Sequence, residues 1–156
     1  MGALLAKENI WYVGTQDPNL RVFDIIMHSD WGTSYNAYLV KGSEKTALFE
    51  TSKLEFFDEF LANVREVCDP ASIDYIVVDH TEPDHSGSLE KLLALAPNAT
   101  VLGSATALNF LKQIVNHEFA CRAVTEKDTV DLGGMTLHFL SVPFLHWPDS
   151  MYTYIP

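Results

Sequence analysis

The 156-residue chain is short of cysteine, of basic residues and of long apolar runs, and each shortage excludes something. Two cysteines, Cys68 and Cys121, without CxxC spacing, cannot form a disulfide framework. They read as buried or half-buried free thiols, and the default compartment is a reducing cytoplasm. Lys and Arg together number 10 against 21 Asp and Glu, for a formal charge of -11. No basic cluster interrupts that balance, so neither a nucleic-acid partner nor an anionic membrane surface is expected. No apolar run approaches the ~18 residues of a membrane span. The N-terminus has no apolar core or cleavage site of a signal peptide, and Ala6 stands where myristoylation needs Ser or Thr. Repeats and low-complexity stretches are absent too. What is present is 47% hydrophobic residues in a length that suits one globular domain.

The pattern changes period along the chain. Asn9 to Val13, Arg21 to Met27, Ser34 to Val40 and Thr46 to Phe49 read as strands. Turn signals at Asp17-Pro18-Asn19 and Lys41-Gly42-Ser43-Glu44 separate them, as in an antiparallel meander. Phe56, Phe57, Phe60, Leu61, Val64 and Val67 then fall at helical spacing, ended by Asp69-Pro70. Ile73 to Val78 is a nearly continuous apolar run, as in a strand buried on both faces. Ser86 is expected to cap a helix carrying Leu89, Leu92, Leu93 and Ala96, and Ser104 another carrying Leu108, Leu111, Ile114 and Val115. Between them lies a short strand, Thr100 to Leu102. Met135 to Val142 and Met151 to Ile155 read as closing strands joined by a loop with Pro143, His146 and Pro148. The class is α/β.

Four potential metal ligands lie within six residues directly after the most apolar strand: His80, Glu82, Asp84 and His85. The carboxyl end of a strand is where α/β sheets place their sites. Pro83 keeps Glu82 extended, so His80 and Glu82, two residues apart, point to one side and can converge. Asp84 and His85 can converge on a second point. Carboxylates grouped this tightly, with no bases nearby, need protons or a cation. Imidazole with carboxylate suits iron, manganese or zinc, and two such pairs suit a two-metal site. A helix starting at Ser86 would turn its positive end toward the site. Asp79 and Thr81 are candidates for holding the imidazoles in place, or simply turn residues. The other histidines read blandly: His28 as a loop residue, His117 as a helix-end cation, His138 as a strand residue. Trp31, Tyr35 and Trp147 either line the pocket or fill core, with core packing the preferred reading.

The motif His80-x-Glu82-x-Asp84-His85 resembles the iron version of the metallo-β-lactamase signature, in which Glu replaces the usual second His. Three stretches are similar to the flavodiiron proteins, or A-type flavoproteins. They are Asp79-His80-Thr81-Glu82-Pro83-Asp84-His85-Ser86-Gly87-Ser88-Leu89, Val142-Pro143-Phe144-Leu145-His146-Trp147-Pro148-Asp149-Ser150-Met151, and Trp31-Gly32-Thr33-Ser34-Tyr35-Asn36-Ala37-Tyr38-Leu39. The resemblance spans essentially the whole chain. It implies a metallo-β-lactamase-like αββα sandwich, with residues 1–156 forming the N-terminal portion of the diiron domain. It implies two iron ions, the first bound by His80, Glu82 and His146 and the second by Asp84 and His85. A bridging Asp and one more His would lie further along the family's chain, as would a flavodoxin-like domain carrying FMN. Asp149, although close to His146, is not a ligand in the resembling motif.

The activity so implied is reduction of oxygen to water or of nitric oxide to nitrous oxide. Electrons would come from FMN, supplied by rubredoxin or another flavin or iron redox protein, within a homodimer. The rival readings are a diiron oxygen sensor, a zinc hydrolase of the wider superfamily (which Glu82 argues against) and an inactive fragment. A sandwich built only in part would expose an apolar sheet face and favour association.

Overall fold

The structure, a computed structural model, describes residues 2–23 and 25–156. Fourteen short strands occur in the order β1 (Leu4–Lys7), β2 (Ile10–Tyr12), β3 (Thr15–Asp17), β4 (Val22–Phe23), β5 (Met27–His28), β6 (Thr33–Tyr35), β7 (Tyr38–Lys41), β8 (Thr46–Phe49), β9 (Tyr75–Val77), β10 (Thr100–Gly103), β11 (Cys121–Ala123), β12 (Thr129–Asp131), β13 (Thr136–Ser141) and β14 (Met151–Tyr154). The helices are α1 (Phe57–Val67), α2 (Pro83–Ser86), α3 (Leu89–Leu93) and α4 (Ala105–Ile114). A seven-stranded sheet runs β1-β2-β7-β8-β9-β10-β11, antiparallel as far as β8 and parallel from β8 onward. A second sheet, β12-β13-β14, is antiparallel throughout.

The strand alternation divides the apolar residues between two cores. Leu39, Leu48, Ile76 and Val101 join the cluster built with Phe60, Val64, Leu92 and Leu111 of the helices. Their neighbours Val40, Ala47, Val77 and Leu102 join the other cluster, with Val130, Leu137, Phe139 and Met151 of the second sheet. This is why Tyr75–Val77 and its flanks carry no polar face: the strand has packing partners on both sides. Each fully buried Leu, Ile or Val there contributes about 1.5–3 kcal/mol. The layers run helices, large sheet, small sheet. Among the described residues no helix contributes to the second cluster. The outer face of β13 and β14 exposes Leu140 and Tyr152, which pair across the ladder, together with Tyr154. That is the apolar sheet face expected of a sandwich's N-terminal portion.

Four local expectations are corrected. Arg21 to Met27 is not one strand: β4 and β5 fold back on each other, with Ile25 left-handed at φ 70. Asp24, within that expectation, lies outside the described residues. Ser34 to Val40 is broken, with β6 pairing β3 and β7 pairing β2. The break mirrors one between β2 and β3 at Gly14, where a Cβ would sit 2.2 Å from the Tyr35 carbonyl oxygen, so only glycine allows the two backbones to bend together. Ser86 does not cap the leucine helix. It ends the four-residue α2, and its hydroxyl donates to the Thr81 carbonyl at 2.7 Å. Pro83 at the first helical position nucleates that extra turn, and Ser88 precedes α3 without a side-chain cap. Finally, Trp31 is not core: it is 92% exposed, whereas Tyr35 is fully buried as expected.

Candidate metal centre

The parallel strands β8 and β9 end side by side, and the chain leaves both at the same edge. Glu50 follows β8, and Val78, Asp79 and His80 follow β9. The Glu50 amide donates to the Val77 carbonyl (2.9 Å), and the Val78 amide to that of Leu102 (2.8 Å). The loop from β13 to β14 closes over this edge. It is tightened by amide-to-carbonyl bonds from Phe144 to Trp147 (2.8 Å) and from Leu145 to Val142 (3.1 Å). The loop displays His146 beside the β9 loop.

Three side chains meet there. Glu82 Oε2 lies 3.2 Å from His80 Nε2 and 3.2 Å from His146 Nε2. The three ligand atoms all fall within 4.8 Å of one another. The extended backbone at Glu82 (φ -58, ψ 149), imposed by Pro83, delivers this convergence. Asp84 and His85 form a second, adjacent pair. His85 Nε2 lies 3.7 Å from Asp84 Oδ2, and the His80 and His85 ring centroids are 5.1 Å apart. Trp147 stands edge-on to His80, centroids 5.1 Å apart, and is about one-third exposed. It lines the site and is not core packing. A cavity of about 510 Å³ opens from these groups between Phe49, Tyr38 and Ile155.

Asp149 is not among the converging atoms, but it governs one of them. It is fully buried, and its Oδ2 accepts from the Thr81 amide (2.8 Å) and hydroxyl (2.8 Å), with His80 Nδ1 3.2 Å away. This contact holds the ring with Nε2 facing Glu82 and His146. Thr81 therefore orients the site through Asp149. Ser104 extends the support: its hydroxyl accepts from the Ala107 amide as the α4 cap (3.0 Å) and donates to the Asp149 carbonyl (2.8 Å). Asp79 is a further support, accepting from the Thr153 hydroxyl at 2.8 Å.

Glu50 escaped the sequence reading. The available signal was a carboxylate placed directly after the apolar strand Thr46–Phe49. It is buried, with its backbone left-handed at φ 60, a conformation that costs an L residue roughly 1–2 kcal/mol. His28 and His117 are exposed, and His138 lies on β13 opposite Thr129 of β12 and Tyr154 of β14.

The electrostatics fit a bound cation. Among the described residues, Glu50 Oε2, Asp84 Oδ1, His85 Nδ1 and Asp149 Oδ1 are buried polar atoms without hydrogen-bond partners. Leaving such atoms unpaired is costly. Burial pushes the Glu50 carboxyl up, against the pull of His85. Burial and then the Glu50 charge push Asp79 up to about 7. Burial alone would lower His85, but the Glu50 and Asp84 carboxylates outweigh it and raise the imidazole to about 9. His85 thus holds a proton that a metal ion bound there would displace. The cluster's mixed nitrogen and oxygen donors suit a metal such as iron, manganese or zinc.

Fold and cluster together define a metallo-β-lactamase-like domain with a histidine–carboxylate centre at the strand ends. Residues 33–156 match the family described as ODP family beta lactamase. The chain is 51% identical over 155 residues to Flavo-diiron protein FprA2 of Clostridium acetobutylicum, covering 98% of this chain and 38% of that protein. It is 41% identical over 151 residues to a nitric oxide reductase of Moorella thermoacetica, covering 96% of this chain and 38% of that protein. It superposes on the flavodiiron protein of Giardia intestinalis with a TM-score of 0.94 at 32% identity, over 100% of this chain and 38% of that one. It also superposes on rubredoxin oxygen:oxidoreductase of Desulfovibrio gigas, with a TM-score of 0.92 at 35% identity, over 98% and 38% of the two chains. The chain therefore belongs to the ODP beta-lactamase family and corresponds to the N-terminal part of the flavodiiron proteins. It spans less than two-fifths of the length of these relatives.

Proposed function

We propose that this chain is part of the diiron domain of a flavodiiron-type oxidoreductase that reduces oxygen or nitric oxide. The observation that carries the reading is the convergence of His80, Glu82 and His146 within 4.8 Å, with Asp84 and His85 adjacent. The relatives named as a nitric oxide reductase and as a rubredoxin oxygen:oxidoreductase support the substrate class. His80, Glu82 and His146 would hold a first iron, and Asp84 and His85 would hold a second. Iron bound there supplies the electrons that reduce the substrate. The residues do the rest: Asp149 orients His80, Trp147 stands edge-on against that ring, and Tyr38, Phe49 and Ile155 give the cavity apolar walls. Glu82 in place of an imidazole favours iron over zinc.

On this reading residues 1–156 are one part of a metallo-β-lactamase-like domain. The remaining ligands and a flavodoxin-like FMN domain belong to the same cytoplasmic protein or to a complementing polypeptide. FMN receives electrons from a rubredoxin-like or other redox donor, and the working unit is a homodimer. The test is anaerobic loading of the full-length protein with ferrous iron, followed by stopped-flow mixing with oxygen or nitric oxide. Two irons per chain and substrate consumption with a reduced donor are the expected results. Stoichiometric zinc with no affinity for iron would refute the reading.

A further inference from the structure

We propose that Glu50 is a positioning residue that holds His85 by its Nδ1 and thereby directs Nε2 at the second metal position. The inference rests on the diiron reading and deepens it. His85 Nε2 and Asp84 Oδ2 lie 3.7 Å apart and share one locus. On the far side of the ring, Nδ1 lies 3.6 Å from Glu50 Oε2. Both of these atoms are buried and make no hydrogen bond, so this 3.6 Å charge contact is the polar contact each has. The other oxygen of Glu50 is already committed: Oε1 accepts from the Asp79 amide at 2.7 Å. The carboxylate is therefore clamped at one end to the β9 loop and offers its other end only to His85.

The backbone supports the same assignment. Glu50 adopts the left-handed conformation (φ 60), which L residues avoid and which any glycine would accept. The next residue, Thr51, takes hold of the segment that carries His85. Its amide and its hydroxyl each donate to the His85 carbonyl at 2.7 Å. Glu50 and Thr51 thus grip His85 by ring and backbone. The ring contact repeats what Asp149 does for His80, again at Nδ1 and from a buried carboxylate in a distant part of the chain. Each proposed metal position has its own carboxylate–imidazole pair, and partners of this kind typically govern metal affinity 10–100-fold.

The test is ferrous titration of the full-length protein and of two variants. Glu50→Gln keeps the shape but has only one acceptor oxygen. If that oxygen stays with the Asp79 amide, the NH2 group faces His85 and demands an Nδ1 lone pair, which moves the proton to Nε2. Glu50→Gly removes the carboxylate while relieving the backbone, so loss of folding does not obscure the result. In both variants the first iron should bind as in the parent and the second about 10–100-fold more weakly. The second readout is ¹⁵N-histidine NMR of the zinc-loaded forms. The parent should show a protected His85 Nδ1–H, and both variants should lose it. Binding of both irons at parental affinity in either variant would overturn the proposal. So would equal loss of both irons, which signals a general structural role. A parent protein that takes up no iron refutes the diiron reading itself and is thereby distinguished from failure of this inference.

Discussion

At the scale of single residues, the centre depends on carboxylates that stand behind its histidines. Asp149 and Glu50 are both buried carboxylates, and each faces the Nδ1 of a different histidine. Removing Asp149 strips the Thr81 amide and hydroxyl and the His80 ring of their shared acceptor. Asp149→Ala should weaken the first iron about 10–100-fold and destabilise the fold by about 1–3 kcal/mol, read by titration and urea denaturation. Asp149→Asn keeps an acceptor at that position and should lie nearer the parent in both measurements. Of these supports, the sequence disclosed only those close to the motif. Thr81 and Asp79 were visible as neighbours of His80. Glu50 was not, because it lies 29 residues from Asp79 and reaches it only through the parallel pairing of β8 with β9.

At the scale of elements, periodicity sufficed where side-chain burial decides and failed where backbone geometry decides. The helix from Phe57, the strand Thr46–Phe49 and the Ser104 cap follow from apolar spacing and cap chemistry. The breaks at Gly14 and Ile25 leave the alternation intact, so no hydrophobic pattern could reveal them. Similarly, Pro83 starts a turn of helix before the leucines begin, which displaced the expected cap from Ser86. Ser104 has a double task, capping α4 and fastening the loop that carries Asp149. Ser104→Ala should cost about 1 kcal/mol in urea denaturation through the lost cap. It should also speed proteolysis within residues 142–150, because the Asp149 carbonyl loses its donor.

For the whole molecule, the two-core sandwich was legible as a fold class from the alternation of β and α patterns, and its family from three stretches of motif. The order in which the strands assemble was not. β1 and β2 join β7 across the ribbon strands between them, a choice set by long-range pairing that leaves no local trace. The exposed pair Leu140 and Tyr152 was foreseeable only as an unfilled face, not as particular residues.

The loop that closes over the site has a thermodynamic meaning. His80 and Asp149 are 69 residues apart, and His146 comes from the same closing loop. A metal ion held as proposed by His80, Glu82 and His146 would be a reversible staple across that span. Fastening a loop of this size covalently would lower the entropy of the denatured chain by the equivalent of about 4 kcal/mol. A staple that forms only in the native chain acts instead by mass action. Free iron at 100 times its dissociation constant should add about 2.7 kcal/mol to stability, seen as a rise in Tm by anaerobic calorimetry and reversed by a chelator. The reach of that staple makes metal supply a control on the lifetime of the protein as well as on its chemistry.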